Sequence, residues 1–291
     1  MVDHLGPHTD ELRRLAFALA RGWGVELGAQ LRSKVHLVME GHLEDGTACV
    51  LKLAPPGAGW LGTEARALEL QAGRGAVRLL DSTDEAILVE RAAPGVPLGE
   101  TFERSADDRA TEIIAGLMSS WSVPLSDDDV LEPVTELRRD LEGVSQWLAS
   151  WPSLSDDGIV QLAEEAADLL DELSASAGCS VLLHGDLHHD NVLSAGERGY
   201  LAIDPHGRIG DPGFEVGQLL LNPLAFVAGL DDGELAAVTG RRLARVAAVT
   251  GADRERLAAW GFVKAVISEA WTMEDGETWP AARRLAALLR P

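Results

Sequence analysis

Apolar residues recur at helical spacing over residues 10–21, where Leu12, Leu15, Ala16 and Leu19 share one face. The period then changes to two. In "KVHLVMEG" the residues Val35, Leu37 and Met39 fall on one side of an extended chain. A Glu44–Asp45–Gly46 turn follows, and "TACVLKL" supplies a second strand, so a hairpin is expected. "PPGAG" breaks the chain ahead of a second helix with the stripe Leu61, Ala65, Leu68 and Ala72. "AVRLL" and "AILVE" read as two more short strands. Two prolines and two glycines in "RAAPGVPLG" mark a hinge over residues 91–99, because that composition cannot sit inside a regular element. Beyond it the pattern turns helical, with helices expected over 107–121, 134–150, 159–175, 231–250 and 253–270 and from 281. One stretch breaks this rhythm: "SVLLH" and "GYLAID" are short apolar strands carrying a polar loop between them. The expected organisation is therefore α+β: a small strand-rich lobe over residues 1–90, a hinge, and a larger helical lobe over 100–291.

Composition changes this picture little, and charge changes it more. With 46% hydrophobic and 25% charged residues the chain is an ordinary soluble protein. Its 47 acidic and 25 basic residues leave a formal net charge of -22. Such a surface repels nucleic acid and anionic membranes and favours cationic ligands or simple solubility, and a solvated acidic surface accounts for most of the charge. The two cysteines, Cys49 and Cys179, form neither a disulfide framework nor a zinc quartet, which suits a reducing cytoplasm. The start "MVDHLGPHTDELRR" lacks a basic segment followed by an apolar core, so no signal peptide is expected. No apolar run approaches the 18 or more residues of a membrane helix.

Three kinds of chemistry compete for "HGDLHHDN". His184 and His188 are four apart, as metal ligands on a helix would be, but Gly185 between them weakens a helix and no H-E-x-x-H is present. A turn whose polar side chains satisfy backbone groups would account for His184 and Asp190. It leaves the spacing of Asp186, Asn191 and Asp204 unexplained. Phosphoryl transfer explains it: an Asp takes the hydroxyl proton, and an Asn and a second Asp hold Mg²⁺ against the triphosphate. Protein kinases write this as H-R-D-x-x-x-x-N with a later strand-end Asp. Here Asn191 stands five positions after Asp186, and Asp204 ends the strand "YLAI".

"HGDLHHDN" with "IDPHGRIGDPGFEVGQLLLNP" resembles the aminoglycoside phosphotransferase family, and within it the branch of streptomycin 6-kinases and related antibiotic-resistance kinases. The resemblance covers most of the chain. It implies a two-lobed protein-kinase-like fold, an antiparallel sheet in the first lobe, and an ATP- and Mg²⁺-dependent kinase acting on a small, cationic antibiotic, streptomycin first. It implies that Asp186 is the catalytic base and that Asn191 and Asp204 bind the metal. His184 and Asp211 would support the loop, Glu215 would be a buried acceptor, and His188 would either neighbour the phosphate or pack. In "CVLK" Val50 and Lys52 share a strand face, so Lys52 would meet the phosphates and Val50 the adenine. The partner of Lys52 is Glu64 or Glu69 by helical geometry, and the family likeness of "TEARALELQAGRGAVRLLD" favours Glu64. The backbone from Glu90 to Ala92 would bind adenine. The phosphate loop departs from the kinase pattern: "LGAQLRSKVHLV" has a single glycine, Gly28, leaving Ser33 and Lys34 as candidate phosphate contacts. Near the C-terminus Glu269, Trp271, Glu274 and Asp275 would form the seat of a guanidinium or ammonium group, or else a solvated helix end. The partners expected are the small substrate alone, with no nucleic acid and no membrane, in a monomer or dimer. The competing readings are a kinase of another hydroxyl metabolite, a metal-dependent phosphoesterase and a nucleotide-binding pseudokinase.

Overall fold

A computed structural model describes residues 9–33, 35–55, 61–126, 129–154 and 158–291. The chain divides into two compact units. The first runs to Val96 and takes back Leu193–Gly207; the second comprises Pro97–Val192 and Arg208–Pro291. The segment 193–207, expected with the helical lobe, thus belongs to the strand-rich one.

In the first unit a helix over Thr9–Gly22 buries Leu12, Ala16 and Ala20. Five antiparallel strands follow one another across a sheet in the order Val25–Gln30, Leu37–Leu43, Ala48–Leu53, Ala86–Glu90, Leu79–Ser82. Leu37, Met39, Leu51, Leu53, Ala86 and Leu88 pack with the first helix into one apolar core. The sequence pattern errs at the start: the strand begins at Leu37, and Val35 is 53% exposed. Val25–Gln30, which the sequence left unassigned, is an additional strand. It is legible only afterwards, because no residue in it is fully buried and it shows just two partly buried apolar side chains, Val25 and Leu27. Gly41 lets it approach: a Cβ there would stand 2.7 Å from Val25 Cγ1 and 2.9 Å from the Glu26 carbonyl oxygen. The second helix spans Leu61–Gln71, and the residues between Pro55 and Leu61 lie outside those described.

The second unit is built on helices over Asp107–Trp121, Ile159–Ala175, Asp232–Thr250, Arg254–Glu274 and Pro280–Leu289. The expected helix over 134–150 is instead three short pieces, a 3-10 turn Val134–Leu137 and helices Arg138–Glu142 and Val144–Ser150. The break falls at Gly143, where the Trp147 indole folds back so closely that a Cβ would meet it at 2.8 Å. Two short helices, Val216–Leu221 and Leu224–Ala228, were hidden in the apolar run after "GDPGFE". A small sheet places Val181–Leu183 beside Arg208–Gly210, antiparallel, so that the polar loop leaves from one of these strands. No helix among the described residues is long and apolar enough to cross a membrane.

Candidate active site

The first unit assembles around Lys52. It sits on the central strand of the sheet, 6% exposed, and its ammonium donates to Glu64 Oε2 at 2.6 Å and to Asp204 Oδ1 at 3.2 Å. Burial alone would lower the Lys52 pKa, but the Asp204 and Glu64 carboxylates outweigh it and hold it above its ordinary value. Helical geometry had left Glu64 and Glu69 open; Glu64 makes the pair, while Glu69 accepts from Arg66 at 2.6 Å on the surface. Asp204 reaches Lys52 from a left-handed backbone, φ 57°, unusual for a residue other than glycine. The segment carrying it is tied down nearby: Ala202 N donates to the Gly75 carbonyl at 2.9 Å, and Val77 N to the Ala202 carbonyl at 3.1 Å. His36 lies in the field of the same pair. Burial, then the Lys52 charge, push its pKa down to about 4, with Asp204 opposing.

Val50 shares the Lys52 face of its strand and is half-buried. Ser33 accepts from the His36 backbone N–H at 3.2 Å, while Lys34 lies outside the described residues. The Glu90 side chain is buried and spent: it accepts from Arg78 Nε at 2.7 Å and from Arg198, and its own N–H donates to the Arg78 carbonyl at 2.9 Å. Ala92 is buried beside it.

The second unit assembles around Asp186. The Asn191 amide donates to the Asp186 carbonyl at 2.9 Å and to Asp186 Oδ2 at 3.1 Å. Gln218 Nε2 donates to Asp186 Oδ1, and His188 Nε2 stands 3.4 Å from Oδ2. Around the base of the loop, the N–H groups of His184 and Gly185 donate to Glu215, the latter at 3.1 Å. Burial pushes Glu215 up to about 7, against those backbone donors. His184 Nδ1 accepts from Asp186 N at 3.2 Å, and its ring meets Trp121 edge-on. Asp211 caps the turn before Glu215, accepting from Gly213 N at 2.6 Å and from Arg256 Nε at 2.7 Å. His189 is buried edge-on against Phe102. These placements give each histidine of the loop a structural neighbour, and among the described residues no group of three or more His, Cys, Asp or Glu could hold a metal.

Gln218 was missed. Its signal was an amide inside the apolar run "VGQLLL", whose helix is pinned by Arg242 donating to the Leu219 and Asn222 carbonyls at 2.6 and 2.7 Å. Lys264 was missed as well: it lies fully buried, 4.1 Å over the Trp271 ring.

The C-terminal group disperses. Glu269 is wholly buried, accepting from Trp279 N at 2.6 Å and from Arg283, so its carboxylate braces the last helix and offers nothing to a ligand. This corrects its expected place in the substrate seat. Trp271 has Lys264 over one face and donates to Asp140 at 2.8 Å. Glu274 and Asp275 are exposed at the end of that helix, beside the half-exposed Trp151, which donates to the Glu274 carbonyl at 3.2 Å.

A profile of aminoglycoside/hydroxyurea antibiotic resistance kinases matches residues 21–276. The hydroxyurea phosphotransferase of Kitasatospora aureofaciens is 35% identical over 94% of this chain and 76% of its own length. The streptomycin 6-kinase of Streptomyces griseus is 31% identical over 92% of this chain and 86% of its own. Among solved structures, an amicoumacin kinase in complex with AMP-PNP and Ca²⁺ superposes with a TM-score of 0.66 at 15% identity, covering 100% of this chain and 95% of that one. The fold is the two-lobed, protein-kinase-like one.

Proposed function

This chain belongs to the aminoglycoside/hydroxyurea antibiotic-resistance kinase family, and from that membership we propose that it transfers the γ-phosphoryl group of ATP to a hydroxyl of an aminoglycoside-type antibiotic, streptomycin foremost. It is a small-molecule kinase; the acceptor and the roles of individual residues are the proposal. The observation that carries it is the Asp186 carboxylate, one-fifth exposed and held on both oxygens by the Asn191 and Gln218 amides. A carboxylate so fixed is aimed before substrate arrives, which is what a general base requires. Asp186 accepts the hydroxyl proton as the oxygen attacks phosphorus. Lys52, kept charged by Glu64 and Asp204, neutralises phosphate oxygens of the nucleotide. Val50, Ser33 and the backbone at Glu90 and Ala92 are the further nucleotide contacts.

Mg²⁺ is the metal proposed, and Asn191 and Asp204 are the residues that would hold it. Both offer hard oxygens, and Mg²⁺ commonly takes one or two protein oxygens and completes its shell with substrate phosphates and water. When bound, the metal supplies charge neutralisation at the transferring group.

A second reading has its own support. Lys264 lies over one face of Trp271 and Asp140 takes its N–H, which leaves Glu274 and Asp275 as the exposed charges of this group to attract a cation. A relative acts on hydroxyurea, so a small neutral N-hydroxy compound is the alternative acceptor. Incubation with Mg²⁺–ATP and, separately, streptomycin, other aminoglycosides and hydroxyurea, followed by mass spectrometry, decides between them. Addition of one phosphoryl group to streptomycin supports the first reading, and to hydroxyurea the second. Nucleotide consumption no faster than without acceptor in every case sinks both.

A further inference from the structure

Lys264 lies in the middle of the Arg254–Glu274 helix, fully buried, in a stretch whose chain neighbours Phe262, Val263, Ala265, Val266 and Ile267 are buried too. Its Nζ has no hydrogen-bond acceptor among the described residues. Burying an ammonium in that way is costly, and a methionine would fill the space without the cost. The surroundings are nevertheless shaped to this side chain. Nζ lies 4.1 Å from the centre of the Trp271 ring and 5.2 Å from that of Phe214. Against its stem stands Gly217, where a Cβ would come within 2.3 Å of Lys264 Cβ and Cγ. The next residue, Gln218, donates to Asp186. One short helix therefore touches Lys264 with one residue and the Asp186 carboxylate with the following one.

We propose that Lys264 is a positioning residue for Asp186: packed over two aromatic rings and against Gly217, it seats the short helix from which Gln218 holds the carboxylate, and it adds its charge from the interior. The inference rests on the reading of Asp186 as the base. Asp186, Glu215 and Asp140 each already accept from other donors, so the ammonium acts on any of them through its charge alone. Burial brings the Lys264 pKa down to about 8; Asp186 opposes this most strongly, Arg208 adds to it, and Glu215 and Asp140 oppose it less.

The test is a double-mutant cycle in the full chain, with Lys264→Met, Asp186→Asn and the pair, read by urea unfolding at neutral pH and low salt. Asp186→Asn leaves the ammonium without its counter-charge, so Lys264→Met should be more stabilising in that background than in the wild type. The expected non-additivity is about tenfold in the folding equilibrium constant. Additive effects, within about twofold, overturn the proposal. A second arm measures transfer to streptomycin and to hydroxyurea: Lys264→Met should lower kcat at least about tenfold and leave KM for Mg²⁺–ATP in place, and an equal rise in KM with kcat unchanged counts against it. If Lys264→Met does not fold, Lys264→Gln replaces it. Failure of both to fold makes the lysine a structural element and overturns the proposal too. The two readings separate cleanly. Additive stabilities with transfer abolished in Asp186→Asn sink only the role of Lys264, whereas coupled stabilities with transfer intact in Asp186→Asn sink the base.

Discussion

Asp186 and His189 are three residues apart in one loop, and their surroundings ask opposite things of them. Asp186 is partly open and held by amide donors on both oxygens. Replacement by Asn keeps the shape and removes the proton acceptor. Asp186→Asn should lower kcat by about 10²–10⁴-fold, the usual worth of a general base. Its affinity for a non-hydrolysable ATP analogue with Mg²⁺, measured by calorimetry, should hardly change; a variant with wild-type turnover would remove Asp186 from the mechanism. His189 is buried with no hydrogen-bond partner on either ring nitrogen among the described residues. Burial first, then the charges of Arg242 and His188, push its pKa down to about 3. The unfolded chain, with a pKa near 6.5, binds the proton that the folded one refuses, so His189 costs stability as pH falls from about 6.5 toward 3. At pH 5 that cost is at most about 2 kcal/mol. His189→Leu should therefore flatten the loss of Tm between pH 7 and pH 5; an unchanged slope means that another group is responsible.

The helix Val216–Leu221 is short, almost wholly buried and pressed against the longest helix at Gly217. Gly217→Ala would force a methyl into the Lys264 stem, and overpacking of this kind costs about 1–3 kcal/mol. Gly116, in the Asp107–Trp121 helix, meets nothing within 4 Å of an added Cβ. Gly116→Ala should stabilise by about 0.5–1 kcal/mol, from propensity and a less free unfolded chain. Urea midpoints that move in the same direction for both variants would show that the close approach at Gly217 does not govern its stability. The contrast also explains what could be read from the sequence. Long amphipathic helices such as 107–121 and 159–175 announce themselves, with bounds matching those observed. Val216–Leu221 does not, because all of it but Gln218 is buried and its six residues give no period. The break at Gly143 was hidden for a different reason: Gly143 keeps helical backbone angles, so the pattern of the two pieces reads as one helix. The polar loop was legible because kinase chemistry fixes the spacing of Asp186 and Asn191 along one strand-loop-strand unit. Gln218 and Lys264 were not, since they lie 32 and 78 residues from Asp186 in sequence and only packing relates them to it.

Over the whole molecule a formal charge of -22 surrounds this chemistry, and it treats the two candidate acceptors differently. Streptomycin carries guanidinium groups and hydroxyurea is neutral. A cation gathered by the acidic surface gains affinity that salt removes, because the Debye length falls from about 10 Å at 0.1 M to about 3 Å at 1 M. A neutral acceptor gains nothing of the kind. KM for streptomycin should thus rise steeply with ionic strength, while KM for hydroxyurea, if that is the acceptor used, should stay level over the same range. The local part of the attraction falls to Glu274 and Asp275, the two exposed carboxylates of the C-terminal group, since Glu269 is consumed by Arg283 and Trp279. Glu274→Gln and Asp275→Asn should each raise KM for streptomycin by several-fold, about 1 kcal/mol or less for an exposed charge, with kcat nearly constant. That pattern belongs to uniform binding, in which a charge holds the acceptor equally in the ground and transition states. A rise in KM with salt that persists undiminished in both variants would mean that the general field of the acidic surface gathers the substrate and no built seat does. A KM for streptomycin indifferent to salt would remove the electrostatic argument for a cationic acceptor and leave the neutral N-hydroxy compound as the reading to pursue.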